Sequence, residues 1–336
     1  MKIAVFSTKA HDVRYLDDAN AGNTHSLTYI EARLSHTTMG LADNQDAVIA
    51  FVHDVVDAVV LERLAAFGVR IVALRCAGYN NVDLEAAKRL SIAVVRVPAY
   101  SPYSVAEHTV GLILSLNRKI HRAYAHVREG NFALDGLLGF DLHGKTVGIV
   151  GTGAIGQVVV RIMAGFGCRI LLTDPLPSAE CVSLGGIYVP FETLAAQSDI
   201  ISLHCPLIPG TRHIVDKKAI ANMRVGVMIV NTGRGALIDT TAAIEGLKSR
   251  QIGYLGLDVY EEEGGVFYED LSDQILRDDV LARLLTFPNV LITSHQGFFT
   301  HEAMSAIAKT TLLSLTQFDA GTPFDQSVVL VPFTRT

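Results

Sequence analysis

A glycine run, Gly151-Thr152-Gly153-Ala154-Ile155-Gly156, stands directly behind the apolar stretch Thr146-Val147-Gly148-Ile149-Val150 and opens a helix-like segment. Gly151 permits a tight turn, Gly153 lets backbone approach a pyrophosphate, and Gly156 lets helix and strand pack closely. An anion would rest on the first N–H groups of the helix, where the dipole favours it. Asp174 closes the next apolar run, eighteen residues beyond Gly156. That spacing is near the ~20 expected of an acid that holds ribose hydroxyls. The pattern predicts a strand–turn–helix unit of a parallel sheet that binds a dinucleotide.

The fingerprint falls late. About 145 residues precede it, enough for much of another domain, since domains commonly run ~100–150 residues. Hydrophobic residues make up 49% and charged residues 18% of the 336, which suits a compact globular protein. A net charge of −6 advertises neither a nucleic-acid nor an anionic-membrane partner. The apolar run at residues 1–7 is too short for a signal peptide and reads as a first strand. No stretch approaches the ~18 apolar residues of a membrane span. Cys76, Cys168, Cys181 and Cys205 are scattered without a C-x-x-C pair. A disulfide framework or zinc site is therefore not expected, and a cytoplasmic location is.

Short β-branched runs at residues 2–6, 47–52, 70–75 and 93–97 alternate with amphipathic stretches at 59–67 and 84–90. Ser101 and Pro102 open a helix too apolar for a surface position, with Val105, Val110, Leu112, Ile113 and Leu116. Packing between domains is the expected reason. A second β-α-β series follows, with strands at 146–150, 169–173, 200–203, 227–231, 254–259 and 290–293. A helix-like run at 301–318 is expected to return to the first domain, and residues 328–336 carry little signal.

Parallel sheets place ligands at the carboxyl ends of their strands. There stand Asp174, His204-Cys205-Pro206, Asn231-Thr232-Gly233-Arg234, Asp258 and Ser294-His295. Arg234, Glu263 and His295 suit one site. A planar guanidinium grips a carboxylate by two parallel charge-assisted bonds. A histidine exchanges a hydroxyl proton while hydride moves, and a carboxylate beside it favours its charged form and fixes its orientation. Each also has a structural reading: a surface arginine, a solvated acidic run at Glu261-Glu262-Glu263, and a structural histidine among twelve.

These motifs resemble the D-isomer-specific 2-hydroxyacid dehydrogenases, most nearly the bacterial fermentative D-lactate dehydrogenases. The matching runs are 74–83, 97–102, 106–108, 117–124, the glycine turn, 202–207, 230–235, 257–263 and 294–298. The resemblance implies an α/β fold of two doubly wound parallel-sheet domains with a cleft between. Residues 1–100 and 299–336 would form a discontinuous flavodoxin-like substrate (catalytic) domain, and 101–298 a Rossmann NAD-binding domain. It implies NAD-dependent, reversible, metal-free reduction of pyruvate to D-lactate. Arg234 would clamp the carboxylate, His295 would be the acid/base and Glu263 its partner, with Asp258 near the nicotinamide. Cofactor contacts would fall on Gly151, Gly153, Ala154, Ile155, Gly156, Asp174, Cys205, Pro206, Thr211, Thr232, Gly233, Arg234 and Asp258. Substrate contacts would fall on Phe51, Ala77, Gly78, Tyr100, Arg234, His295 and Phe298; the two phenylalanines leave room for a methyl group rather than a branched chain. Alternatives are a glyoxylate/hydroxypyruvate or branched 2-oxoacid reductase and a dinucleotide-sensing corepressor. The apolar helix from Ser101 and the segment to Phe132 suggest a homodimer or homotetramer. The sequence departs from the family at His53-Asp54-Val55-Val56, at Gly297, where alanine is common, and in its tail.

Overall fold

A computed structural model describes residues 1–22 and 24–333. The chain divides into two compact units, one made of Met1–Ser101 with the described residues from Phe299 onward, the other of Pro102–Phe298. The first unit opens with β1 (Lys2–Val5), α1 (Ala10–Ala19), β2 (Ser26–Tyr29), β3 (Ala47–Ala50), α2 (Ala58–Ala66), β4 (Ile71–Leu74), α3 (Leu84–Arg89) and β5 (Ala93–Arg96). Every residue of β3 and β4 is buried, as expected of central parallel strands covered on both faces. Asp57 and Asp83 cap α2 and α3 by accepting the Val60 and Ala86 N–H groups.

The second unit begins with α4 (Pro102–Arg118) and α5 (Ile120–Arg128). Next come β6 (Thr146–Val150), α6 (Ala154–Gly165), β7 (Arg169–Thr173), α7 (Ala179–Ser183), β8 (Ile187–Tyr188), α8 (Phe191–Gln197) and β9 (Ile200–Leu203). The unit ends with α9 (Lys217–Asn222), β10 (Val227–Asn231), α10 (Thr240–Lys248), β11 (Ile252–Leu257), α11 (Asp279–Leu285) and β12 (Val290–Ile292). Its seven strands pair in parallel in the order β12-β11-β10-β9-β6-β7-β8. The order reverses between β6 and β9, which makes the carboxyl ends of those strands the switch point.

The burial of α4 has a different cause from the one expected. Ala106, Val110, Leu112, Ile113 and Leu116 join Val147, Ile149, Val158 and Met163 in the core of their own unit. Burying a large aliphatic side chain of this kind contributes about 1.5–3 kcal/mol, so packing within the unit accounts for the helix.

The chain then returns to the first unit through α12 (His301–Ala320) and β13 (Val329–Val331). Thr300 caps α12, and Gly321, at φ 65°, ends it. Ala308, Leu312 and Leu315 pack with Ile3, Ile49, Ile71 and Val95. The first sheet runs β13-β5-β4-β3-β1-β2, parallel except for β13. Its parallel part has the flavodoxin-type order, with a switch point between β1 and β3. Residues 334–336 of the tail lie outside the described residues.

Candidate active site

The glycine turn joins β6 to α6. Gly151 has φ 96°, and a Cβ there would lie 2.5 Å from the Cys205 nitrogen. A Cβ on Gly156 would lie 2.1 Å from the Gly151 carbonyl oxygen, so both positions demand glycine. Around Gly153, by contrast, nothing comes within 4 Å of where a Cβ would stand. Gly153 is also the cap position of α6, and no side chain caps that helix, whereas Asp216, Asp239 and Asp278 cap α9, α10 and α11. The first N–H groups of α6, from Ala154, Ile155 and Gly156, thus remain available to an anion.

Asp174 sits just past β7. Its carboxylate accepts the Thr152 N–H at 2.7 Å and the Leu176 N–H at 2.8 Å, which ties the acid to the glycine turn. Cys205 and Pro206 follow β9, next to Gly151 across the switch point. Burial pushes the Cys205 thiol up to about 11, so it is a neutral wall. Thr211 holds the loop after it by donating to the Pro206 carbonyl at 2.6 Å and accepting the Ile208 N–H at 2.9 Å. Thr232 pairs with Thr109 of α4 at 2.8 Å. An open glycine cradle, free helix N–H groups and an oriented acid fit a dinucleotide.

Arg234 stands at the end of β10. The Asn231 amide donates to the Arg234 carbonyl at 2.8 Å and accepts the Gly233 N–H at 3.0 Å, so one buried side chain shapes the turn. The guanidinium donates to the Gly233 carbonyl at 2.7 Å, and no carboxylate pairs with it among the described residues. A Cβ on Gly235 would fall 2.1 Å from the Tyr260 carbonyl, which fixes this turn against the start of the acidic run.

Glu263 and His295 are brought together. His295 Nδ1 lies 2.9 Å from Glu263 Oε1, while Glu263 Oε2 accepts the Tyr260 N–H at 3.2 Å. Glu261 faces elsewhere, toward His213 at 2.7 Å and Arg212 at 3.2 Å. A solvated acidic face is therefore not what this run forms. His295 has φ 51°, a left-handed backbone uncommon outside glycine. Its N–H donates to the Asp258 carbonyl at 2.7 Å, and its own carbonyl accepts the Tyr268 hydroxyl at 2.9 Å.

Asp258 is buried beneath this loop. Its carboxylate accepts from Thr293 at 2.5 Å and from the Gln296 and Gly297 N–H groups at 2.9 and 2.8 Å, and His108 lies 3.3 Å away. Burial, the largest influence, works to raise its pKa. The bonds from His108, Thr293 and Gly297 outweigh it and hold the carboxyl below its usual range. Gly297 fits closely here, for a Cβ would lie 2.9 Å from Asp258 Oδ2. Phe298, half-buried, ends the unit.

In the first unit, Phe51, Ala77, Gly78 and Tyr100 all lie beyond strand carboxyl ends. The Phe51 N–H donates to Asp54 at 2.5 Å, and the buried Arg75 guanidinium lies 4.2 Å from the Phe51 ring centre. Arg75 pairs with Asp12 at 3.2 Å and donates to the Ser7 carbonyl at 2.7 Å. The Ala77 carbonyl accepts from Arg96 at 2.9 Å, and the Gly78 carbonyl faces the Cys76 thiol at 3.2 Å.

Residues 110–297 match the model of the D-isomer specific 2-hydroxyacid dehydrogenase, NAD binding domain. The chain is 52% identical over 321 residues to a 2-hydroxyacid dehydrogenase homolog of Haemophilus influenzae, covering 96% of this chain and 97% of that one. It is 51% identical to the D-lactate dehydrogenase of Escherichia coli, covering 96% and 98%. The chain belongs to the D-isomer specific 2-hydroxyacid dehydrogenases. The apo structure of the Escherichia coli enzyme superposes with a TM-score of 0.90 at 49% identity, over 98% of this chain and all of that one. An Aquifex aeolicus D-lactate dehydrogenase complexed with NAD and lactic acid gives 0.88 at 28% identity, over 99% and 100%.

Residues 110–297 are accordingly the NAD-binding domain of a 2-hydroxyacid dehydrogenase, and its cofactor is NAD. Two side chains beside the Glu263–His295 pair escape a reading of the sequence. His108 shows only as part of a matched run, because its neighbours Thr293 and Asp258 come from distant strands. Tyr268 lies in a segment without helical or strand periodicity.

Proposed function

We propose that this dehydrogenase reduces pyruvate to D-lactate, reversibly, and that Arg234, Glu263 and His295 carry the reaction. The reading rests on one observation: the 2.9 Å pair of His295 and Glu263 shares a unit with an arginine that no carboxylate neutralises among the described residues. Arg234 binds the substrate carboxylate by its two-pronged donor edge. His295, held by Glu263 at Nδ1, presents Nε2 to the ketone oxygen and gives it a proton. NADH, when bound, supplies the hydride that C2 gains. In the reverse direction neutral His295 takes the hydroxyl proton. Asp258 supports the loop from below. Ala154, Ile155, Asp174, Cys205, Pro206, Thr211, Thr232 and Gly233 contact the cofactor, and Phe51, Ala77, Gly78, Tyr100 and Phe298 shape the substrate's surroundings.

Pyruvate is preferred as substrate because relatives about half identical over nearly their full length carry the name D-lactate dehydrogenase. Phe51 and Phe298 favour a methyl group over a branched chain. No helix among the described residues is long and apolar enough to cross a membrane, and a cytoplasmic setting suits a nicotinamide reductase. Phe132, Leu134 and Leu138 are 76%, 83% and 88% exposed, an apolar surface that a second copy would cover in a homodimer or homotetramer. The test is NADH oxidation with pyruvate, glyoxylate, hydroxypyruvate and 2-oxoisocaproate, followed by chiral analysis of the product. Pyruvate should give the highest kcat/KM and D-lactate alone. A higher value with any other acid, or L-lactate as product, would sink the proposal.

A further inference from the structure

We propose that the NAD-binding unit holds a second anion site, at the amino-terminal edge of its sheet, for a compact multivalent anion bearing phosphoryl or carboxylate groups. The turns that lead into β10, β11 and β12 floor a cavity of about 500 Å³ there. The glycine turn lies at the opposite, carboxyl-terminal edge of the same parallel strands. The volume falls within the ~300–1,000 Å³ typical of small-molecule sites.

The chemistry of its wall is one-sided. Lys119, His121, Arg122 and Arg250 line it, and among the described residues no aspartate or glutamate does. Neither Arg122 nor Arg250 forms an ion pair among the described residues. The Lys119 ammonium donates to the Leu138 carbonyl and lies 5.5 Å from the centre of the Tyr254 ring, and no carboxylate pairs with it among the described residues. Burial first, and the Arg122 charge second, lower its pKa. His121 stands beside both cations; its ring bonds the Ser115 backbone, and its buried Nδ1 finds no close partner among the described residues.

Helix termini explain only part of this cluster. Arg250 follows α10, and a cation at a helix carboxyl end is favourable. His121 and Arg122 lie in the first turn of α5, just past the carboxyl end of α4, where the His121 ring bonds the Ser115 carbonyl. That turn contains no acid, and no side chain caps it. Lys119 and Arg250 also hold left-handed backbones, at φ 52° and 62°, a conformation that side chains other than glycine and asparagine seldom adopt. Cations gathered on constrained backbone around one cavity, with Arg122 and Arg250 in no ion pair among the described residues, form a receptor whose missing partner is negative. Two unpaired guanidinium groups match the paired oxygens of a phosphate or carboxylate.

Calorimetric titration of the purified protein with pyrophosphate, and separately with citrate, tests the site. Saturating NADH blocks the glycine turn, and ionic strength is held constant with chloride. One equivalent per chain of at least one anion should bind saturably. The tighter of the two distinguishes phosphate esters from polycarboxylates as the natural class. R122Q/R250Q should weaken that binding at least tenfold and leave NADH affinity unchanged. R122Q and R250Q alone, each expected to weaken it about threefold, keep the test open if the double variant does not fold. Absence of saturable binding by both anions, or equal affinity in parent and variants, would overturn the proposal.

Discussion

Among the described residues the Arg234 guanidinium makes one hydrogen bond, to the Gly233 carbonyl, and its remaining donors pair with no carboxylate. Lysine at this position keeps the charge but not the fork. Arg234→Lys should therefore lose one charge-assisted bond to the substrate, worth about 1.5–3 kcal/mol. In steady-state kinetics kcat/KM for pyruvate should fall roughly ten- to hundredfold while the Kd of NADH holds; loss of NADH binding with an intact pyruvate KM would show that Arg234 serves the cofactor. Tyr268 acts one step further out, through the His295 carbonyl at 2.9 Å. Tyr268→Phe keeps the ring and deletes that bond, a loss of about 0.5–1.5 kcal/mol. The expected result is a three- to tenfold lower kcat with unchanged NADH affinity and a melting temperature lowered by no more than a few degrees. An unaltered kcat would show that the left-handed turn at His295 is held without it. Arg234 and His295 are visible in the sequence because each closes an apolar strand run with a polar residue. Tyr268 is invisible there, since its role depends on a loop that folds back on His295 from 27 residues away.

At the level of elements, β6, β7, β9 and β10 fall on the residues their apolar runs predict, because interior parallel strands are continuous hydrophobic segments. The elements that were not legible lie at edges or surfaces. β2 alternates exposed and half-buried residues, β8 has two residues, and α1 buries only Asp12 and Leu16. β11 begins two residues earlier than its pattern suggests. Gly253 interrupts the apolar run there, yet belongs to the strand because it packs against Gly226, 2.4 Å from where its Cβ would be. The glycine turn permits a sharper test, since its glycines face different constraints. Gly156→Ala drives a methyl group into the Gly151 carbonyl, an overlap that should cost about 1–3 kcal/mol or more and lower the melting temperature. Gly153→Ala meets nothing in the protein, so melting of the apoprotein should stay within a degree or so while NADH affinity falls at least tenfold. Equal stability of the two variants would contradict this division of roles.

The whole molecule contains two sheets of different strand order, parallel but for β13, each recognisable from its β-α-β rhythm because helices cover both faces. Its acid stability is set by groups that no spacing rule reveals. His204 follows β9 as an ordinary polar residue at a strand end, yet its ring, half-buried overall, has Nδ1 shut away from solvent. Among the described residues only Ser202, 2.8 Å from Nε2, bonds to its ring, and Nδ1 has no partner. Burial lowers its pKa from 6.5 to about 4. Between those values the unfolded chain carries a proton that the folded chain refuses, so stability rises with pH across that window and is lost as pH falls through it. From pH 7.5 to pH 5 this group alone should remove about 2 kcal/mol. His25 and His121, whose pKa values are also lowered chiefly by burial, act with the same sign but are common to parent and variant. His204→Asn removes the titration and keeps a polar partner for Ser202. Urea unfolding at both pH values, without nucleotide, should therefore show the pH dependence of the variant reduced by about 2 kcal/mol. Equal pH dependence in the two proteins would mean that His204 is already protonated in the folded state, or that its surroundings admit water.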